Sequence, residues 1–194
     1  MTPANVKLSK NELSLVCDAQ FILTKNNIIN KVYELFGLIS VGFTEELASY
    51  KNFLPPEIFL SSPKIYKGEQ YLSLPYVLLD HPRCFIKGHA FAVRCFFWWG
   101  NFFSITLHLE GKYAELFAPK IVEALSGDWS LCVAENQWQH HFEQSNYQPF
   151  SAGLYNAHQP KTFFKIAKKI PLQQWDDVYD FYLNNLQEII RMLV

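Results

Sequence analysis

Residues 90–109 read AFAVRCFFWWGNFFSITLHL, two aromatic-rich strand patterns flanking Gly100-Asn101, and no other stretch constrains the fold so tightly. A Gly-Asn connection between such runs predicts a β-hairpin, because the primed two-residue turns need backbone conformations that Gly and Asn tolerate. Counting outward from that turn sets Trp99 opposite Phe102, Phe97 opposite Ser104, Cys95 opposite Thr106 and Val93 opposite His108. Those side chains share one face of the hairpin, since strand side chains alternate. The other face then carries Trp98, Phe96, Arg94 and Ala92 beside Phe103, Ile105, Leu107 and Leu109. Being apolar apart from Arg94, this second face is the one expected under helices.

The helices are read from apolar periodicity. Ser9-x-x-Glu12 has the form of a capping box and is followed by Leu13, Val16, Cys17 and Phe21 at helical spacing, which predicts a helix over 9–22. Thr24 can cap a second, in which Ile28, Val32, Leu35, Phe36, Ile39, Phe43 and Leu47 form one stripe running through Gly37 and Gly42. Asn52–Pro63, with Pro55-Pro56 inside it, reads as turns. Tyr71–Leu79 reads as a strand that Pro75, lacking a backbone donor, pushes to an edge or a bulge. Lys112–Leu125 predicts a helix kinked or begun at Pro119 and stopped by Gly127. Trp129–Val133, Gln137–Phe142 and Lys161–Ile170 predict strands. After Pro171, the residues Trp175, Val178, Tyr179, Tyr182, Leu186, Ile189, Ile190 and Leu193 hold one face of a C-terminal helix.

This order implies a single α+β domain of 194 residues. Its largely antiparallel sheet is centred on the Gly100-Asn101 hairpin, with N-terminal, middle and C-terminal helices packed on one face. Glu143–Pro160 is polar, turn-prone and longer than an ordinary connection, and is expected to be a lid or a mobile loop.

Candidate chemistry gathers at two places. The first is the hairpin face bearing Cys95, Trp99, Thr106 and His108, a mixed groove with Phe91, Phe97 and Phe102 among the polar groups. A Cys95 thiolate with His108 as its base would be a nucleophilic pair there, although no local signature accompanies it. Arg94, alone on the apolar face, needs a partner or acts as an anion clamp. The second is Asp80-His81-Pro82-Arg83 at the predicted strand end, where Asp80 caps a turn, or else holds His81 as an acid or base while Arg83 binds an anion. His140-His141 with Glu143 falls short of a metal motif, because neighbours on a strand point apart. Lys161, Lys165, Lys168 and Lys169 lie on one predicted strand, where lysines more often guard an edge against aggregation than bind nucleic acid.

A net charge of -1 leaves no field for a polyanion, so nucleic-acid binding is not expected. Aromatic residues make up 16% of the chain, enough to fill a core and also to line a pocket or face. Cys17, Cys84, Cys95 and Cys132 are widely spaced without a C-x-x-C pair and read as reduced thiols. With no secretory signal and no membrane-length apolar run, a soluble cytoplasmic protein is expected. No nucleotide, metal, cofactor or nucleophile signature identifies a reaction. The expectation is a non-catalytic binding or interaction domain for a small molecule or a protein partner. Its rival is an enzyme, a hydrolase or transferase, in which His81, Arg83, Arg94 and His108 converge in one pocket. Phe181, outside the main stripe of the last helix, leaves a homodimer open.

Overall fold

The computed structural model describes residues 6–159 and 161–194; Pro160 and residues 1–5, including the start of the segment read for a leader, lie outside them. Strands β1 (Lys64–Tyr71), β2 (Leu74–Ile86), β3 (His89–Trp98), β4 (Phe102–Glu110), β5 (Ser130–Cys132), β6 (Tyr147–Pro149) and β7 (Phe163–Pro171) form one sheet in the order β1-β2-β3-β4-β7-β5-β6. The pairing is antiparallel throughout. The helices are α1 (Lys10–Cys17), α2 (Ala19–Ala48), α3 (Lys112–Ala124), α4 (Ala152–Ala157) and α5 (Val178–Leu193). Helices α2, α3 and α5 cover one face of the sheet, the α+β arrangement expected. No helix among the described residues is long and apolar enough to cross a membrane.

The capping box forms: Ser9 Oγ accepts from the Glu12 N–H, and the Glu12 carboxylate accepts from the Ser9 N–H at 2.7 Å. The helix it starts is shorter than read. Asp18 accepts from the Phe21 N–H and opens α2 there, so Thr24 lies within α2 instead of capping it; a strong N-cap residue comes first in the chain. In α2, Ile29, Val32, Phe36, Ile39, Phe43 and Leu47 are buried, each contributing about 1.5–3 kcal/mol, which outweighs the weak helix propensity of the stripe's glycines and β-branched residues. In α1 and the first turns of α2, Leu13, Val16, Phe21, Ile22 and Leu23 are exposed. Pro119 lies inside α3, which begins at Lys112.

The predicted strand Tyr71–Leu79 spans the end of one strand, a turn and the start of the next. Leu72 and Ser73 take φ of +47° and +67°, turning β1 into β2. Pro75 then sits where the β1–β2 pairing is interrupted, between Gly68 opposite Tyr76 and Tyr71 opposite Leu74. Strand β2 runs on through Asp80–Arg83, so this stretch lies within an inner strand and not at a strand end. Its pairing with β3 shifts between Asp80 and Arg83, around a cis His81-Pro82 peptide.

The hairpin forms between β3 and β4 with a register one residue away from the expectation. Trp98 pairs with Phe102, Phe96 with Ser104, Arg94 with Thr106 and Ala92 with His108. The connection has three residues, Trp99, Gly100 and Asn101. The Asn101 N–H donates to the Trp98 carbonyl at 3.0 Å, and of the turn residues only Gly100 has positive φ, +72°. That is the type II pattern; a type I′ turn needs positive φ at two residues. The extra loop residue exchanges half of each expected face. Phe91, Val93, Cys95 and Phe97 lie under the helices with Phe103, Ile105, Leu107 and Leu109, while Arg94, Phe96 and Trp98 share the opposite face with Phe102, Ser104, Thr106 and His108.

That opposite face is not open to water. Residues 133–146 run across it as an irregular strap, and Gln137–Phe142, read as a strand, belongs to the strap. Glu143–Pro160, read as a long loop, instead holds the edge strand β6 and α4, the latter capped by Ser151 accepting from the Leu154 N–H.

Candidate functional site

The register of β2 against β3 sets Asp80 opposite Arg94 on the strap side. Arg94 Nε lies 2.6 Å from Asp80 Oδ1 and Nη2 lies 2.9 Å from Oδ2, a two-pronged pair whose side chains are each 5% exposed. The guanidinium fork matches the carboxylate edge and supplies the partner that a buried arginine requires. Nη1 makes no hydrogen bond among the described residues. Around this pair, Tyr66, Tyr71, Tyr76, Leu78, Trp138 and His140 join Arg94 in lining a recess of about 210 Å3. Three of the lining residues arise from strand alternation, Tyr76 and Leu78 on β2 and Arg94 on β3, whereas Trp138 and His140 descend from the strap. The Trp138 ring lies 5.7 Å from Arg94 Cζ, and Tyr71 stands edge-on to Tyr76 and Phe96.

The strap is held by groups far away in sequence. Lys165, 1% exposed, donates from Nζ to the carbonyls of Gln137, at 2.8 Å, and Gln139. The Tyr71 hydroxyl accepts from the backbone N–H groups of His140 at 2.6 Å and His141 at 3.0 Å. Asn146 donates to the His141 carbonyl, and Lys161 donates to the carbonyls of Cys132 and Ala134. Gln137 Nε2 donates to Glu110, which leaves its Oε1 to accept from His108 Nε2 at 2.5 Å.

Burial sets the charge states. It pulls the His108 pKa down to about 3, with Lys165 and Arg94 pushing the same way against the Gln137 hydrogen bond. It holds His140 well below the ordinary histidine range, again reinforced by Arg94 and Lys165. It lowers Lys165 to about 8, with Arg94 and Lys161 adding to the effect. Both histidines are therefore neutral at pH 7 and too weakly basic for proton transfer there.

Of the residues singled out from sequence, Asp80, Arg94, Thr106 and His108 share this face, with Trp138 flanked by Arg94 and His108. The others lie elsewhere. Cys95 is fully buried under the helices, where burial raises its thiol pKa well above the ordinary value, and the register sets it on the face opposite His108, which rules out the nucleophilic pair that had no signature in the sequence. Trp99 stands in the turn against Phe97 on the helix side. His81 stacks on Phe43 of α2, with Nε2 3.0 Å from Thr44 Oγ1, and Arg83 Nε donates to the Ser62 carbonyl. His81, Arg83, Arg94 and His108 thus do not meet in one pocket.

Sequence reasoning missed Tyr66, Tyr71, Tyr76 and Trp138 as site residues, and it weighed His140 only for a metal and Lys165 only as one of four strand lysines. Only Lys165 carried a usable signal, a lone lysine inside the apolar run FFKIA. His141 Nδ1 lies 3.8 Å from Glu143 while His140 is turned under Tyr71 and Phe96, and among the described residues no three His, Cys, Asp or Glu side chains are grouped as a metal site needs. Lys168 is taken up by Asp128 and Glu188. A wider cleft of about 400 Å3 lies beside α3 near Ala114, Ala118 and Pro119, but its one lysine, Lys161, is already committed to the strap. Comparison of the chain with known protein families, with curated proteins and with solved structures gave no match.

Proposed function

We propose that the protein is a non-catalytic binding domain that seats a small molecule in the recess between β1, β2, β3 and the strap. One observation carries this reading: the Arg94 guanidinium, almost removed from solvent, is set in a wall of aromatic rings with one nitrogen uncommitted. Small-molecule sites set a few convergent polar groups among apolar and aromatic side chains, and this recess, at about 210 Å3 smaller than a drug-sized site, suits a single ring. Binding is favoured over catalysis because His108 and His140 are neutral and poorly basic and the Cys95 thiol lies on the other side of the sheet.

The test is a two-dimensional spectrum of the 15N-labelled chain titrated with a set of single-ring fragments of mixed charge. Trp138 is one of five tryptophans, and its indole signal is assigned by its loss in Trp138→Phe. Fragments that shift this signal support the reading; a set that leaves it unmoved refutes it. A second reading, an interaction domain, draws on the exposed Leu13, Val16, Phe21, Ile22 and Leu23 of α1 and α2. Its homodimer form predicts a concentration-dependent mass by light scattering, and a monomer at every concentration ends it.

A further inference from the structure

If the recess is the ligand seat, its electrostatics choose among ligands. Of the ionisable groups buried on this face, Arg94 and Lys165 are cationic and only Asp80 is anionic. The remaining carboxylates nearby are spent or remote: Glu110 accepts from Gln137, and Glu143 is an exposed side chain 3.8 Å from His141. Lys64, paired with Asp80 across β1 and β2, adds a further positive charge, its Nζ 5.3 Å from the centre of the Tyr66 ring.

Aromatic walls alone would favour a cation, because ring faces attract positive charge. Here two of those rings are already engaged, Trp138 by Arg94 and Tyr66 by Lys64. An incoming cation would meet like charge at both. An anion meets the opposite situation: the free Arg94 Nη1 can donate a charge-assisted hydrogen bond in a poorly hydrated setting, where such bonds are strongest. The recess is lined by the aromatic side chains of Tyr66, Tyr71, Tyr76, Trp138 and His140, and its volume of about 210 Å3 matches a single ring with a small substituent.

We propose that the recess takes a planar organic anion, a single aromatic or conjugated ring bearing a carboxylate, with the carboxylate on Arg94 Nη1 and the ring between the tyrosines and Trp138. This rests on the binding reading above, and the experiment separates the two. The wild-type chain is titrated with benzoate, neutral benzamide and phenyltrimethylammonium, following the Trp138 indole signal at low and at high salt. Benzoate is expected to bind at least about tenfold more tightly than benzamide, a preference worth about 1.4 kcal/mol that shrinks in salt, while the quaternary ammonium leaves the signal in place. Equal or tighter binding of benzamide or of the cation at Trp138 overturns the anion assignment and leaves the recess reading standing. Silence from all three overturns both. Replacing both partners of the buried pair, Asp80→Leu with Arg94→Met, keeps the site from holding an unpaired charge and should abolish the preference for benzoate; a preference that survives it overturns the proposal.

Discussion

The buried Asp80–Arg94 pair makes the sharpest stability prediction. Arg94→Met keeps most of the side-chain stem but removes the fork, leaving the Asp80 carboxylate 5% exposed with no cation. Breaking a buried pair from one side costs about 3–5 kcal/mol, a large share of the roughly 5–15 kcal/mol that holds an ordinary domain together. For a chain of 194 residues this corresponds to a Tm lower by about 6–20 °C, at about 2–4 °C per kcal/mol. Asp80→Leu should cost a comparable amount by stranding Arg94. The double variant should recover most of the loss and fall within about 1 kcal/mol of wild type, because an apolar pair of similar volume needs no desolvated charge. Urea unfolding followed by far-UV circular dichroism, with calorimetry alongside, measures all four corners of the cycle. Single variants costing below about 1 kcal/mol, or a double variant that costs the sum of the singles, would refute the account of the pair as a coupled unit.

Further predictions concern pH, the strap and the backbone. Burial lowers His81 to about 4 and His108 to about 3 against an ordinary 6.5, so both bind a proton on unfolding below that value. Stability is complete above about pH 6.5 and declines as pH falls toward 4, by about 3 kcal/mol from His81 alone; His81→Phe should flatten the urea midpoint between pH 7 and 4.5, and an unchanged slope contradicts this. Lys165→Met removes two charge-assisted bonds to the strap while filling the same space, and should speed amide exchange at His140 and His141 about tenfold or more with the β3–β4 amides still protected. Uniform loss of protection would mean the strap is not a separate unit. Gly111→Ala should cost more than about 2 kcal/mol, since φ is +56° and the new Cβ would lie 2.3 Å from the Gly88 carbonyl oxygen. Gly100→Ala, with φ of +72° and open space, should cost only about 1 kcal/mol, and equal melting shifts for the two would refute the crowding argument.

Features that local chemistry can specify were legible along the chain. The Ser9 capping box, the apolar stripes of α2 and α5, the existence of the hairpin and the α+β class all follow from side-chain spacing and cap residues acting within a few positions. Arg94 also announced itself, as a charge in an apolar run that had to find a partner. What that partner is depended on tertiary structure. Both β3 and β4 are buried on two faces, so alternation gave no reason to prefer one register, and a single extra turn residue moved Cys95 away from Thr106 and brought Arg94 beside it. Strand β1 was missed because KIYKGEQY has no apolar alternation, its pairing with β2 being supplied by the neighbouring strand. The strap looked like a strand because Gln137–Phe142 carries aromatics at strand spacing, yet its carbonyls are claimed by Lys165 and its amides by Tyr71, residues 28 and 69 positions away. A recess built by such contacts exists only once the sheet has assembled, because its polar groups come from segments that local propensity does not connect.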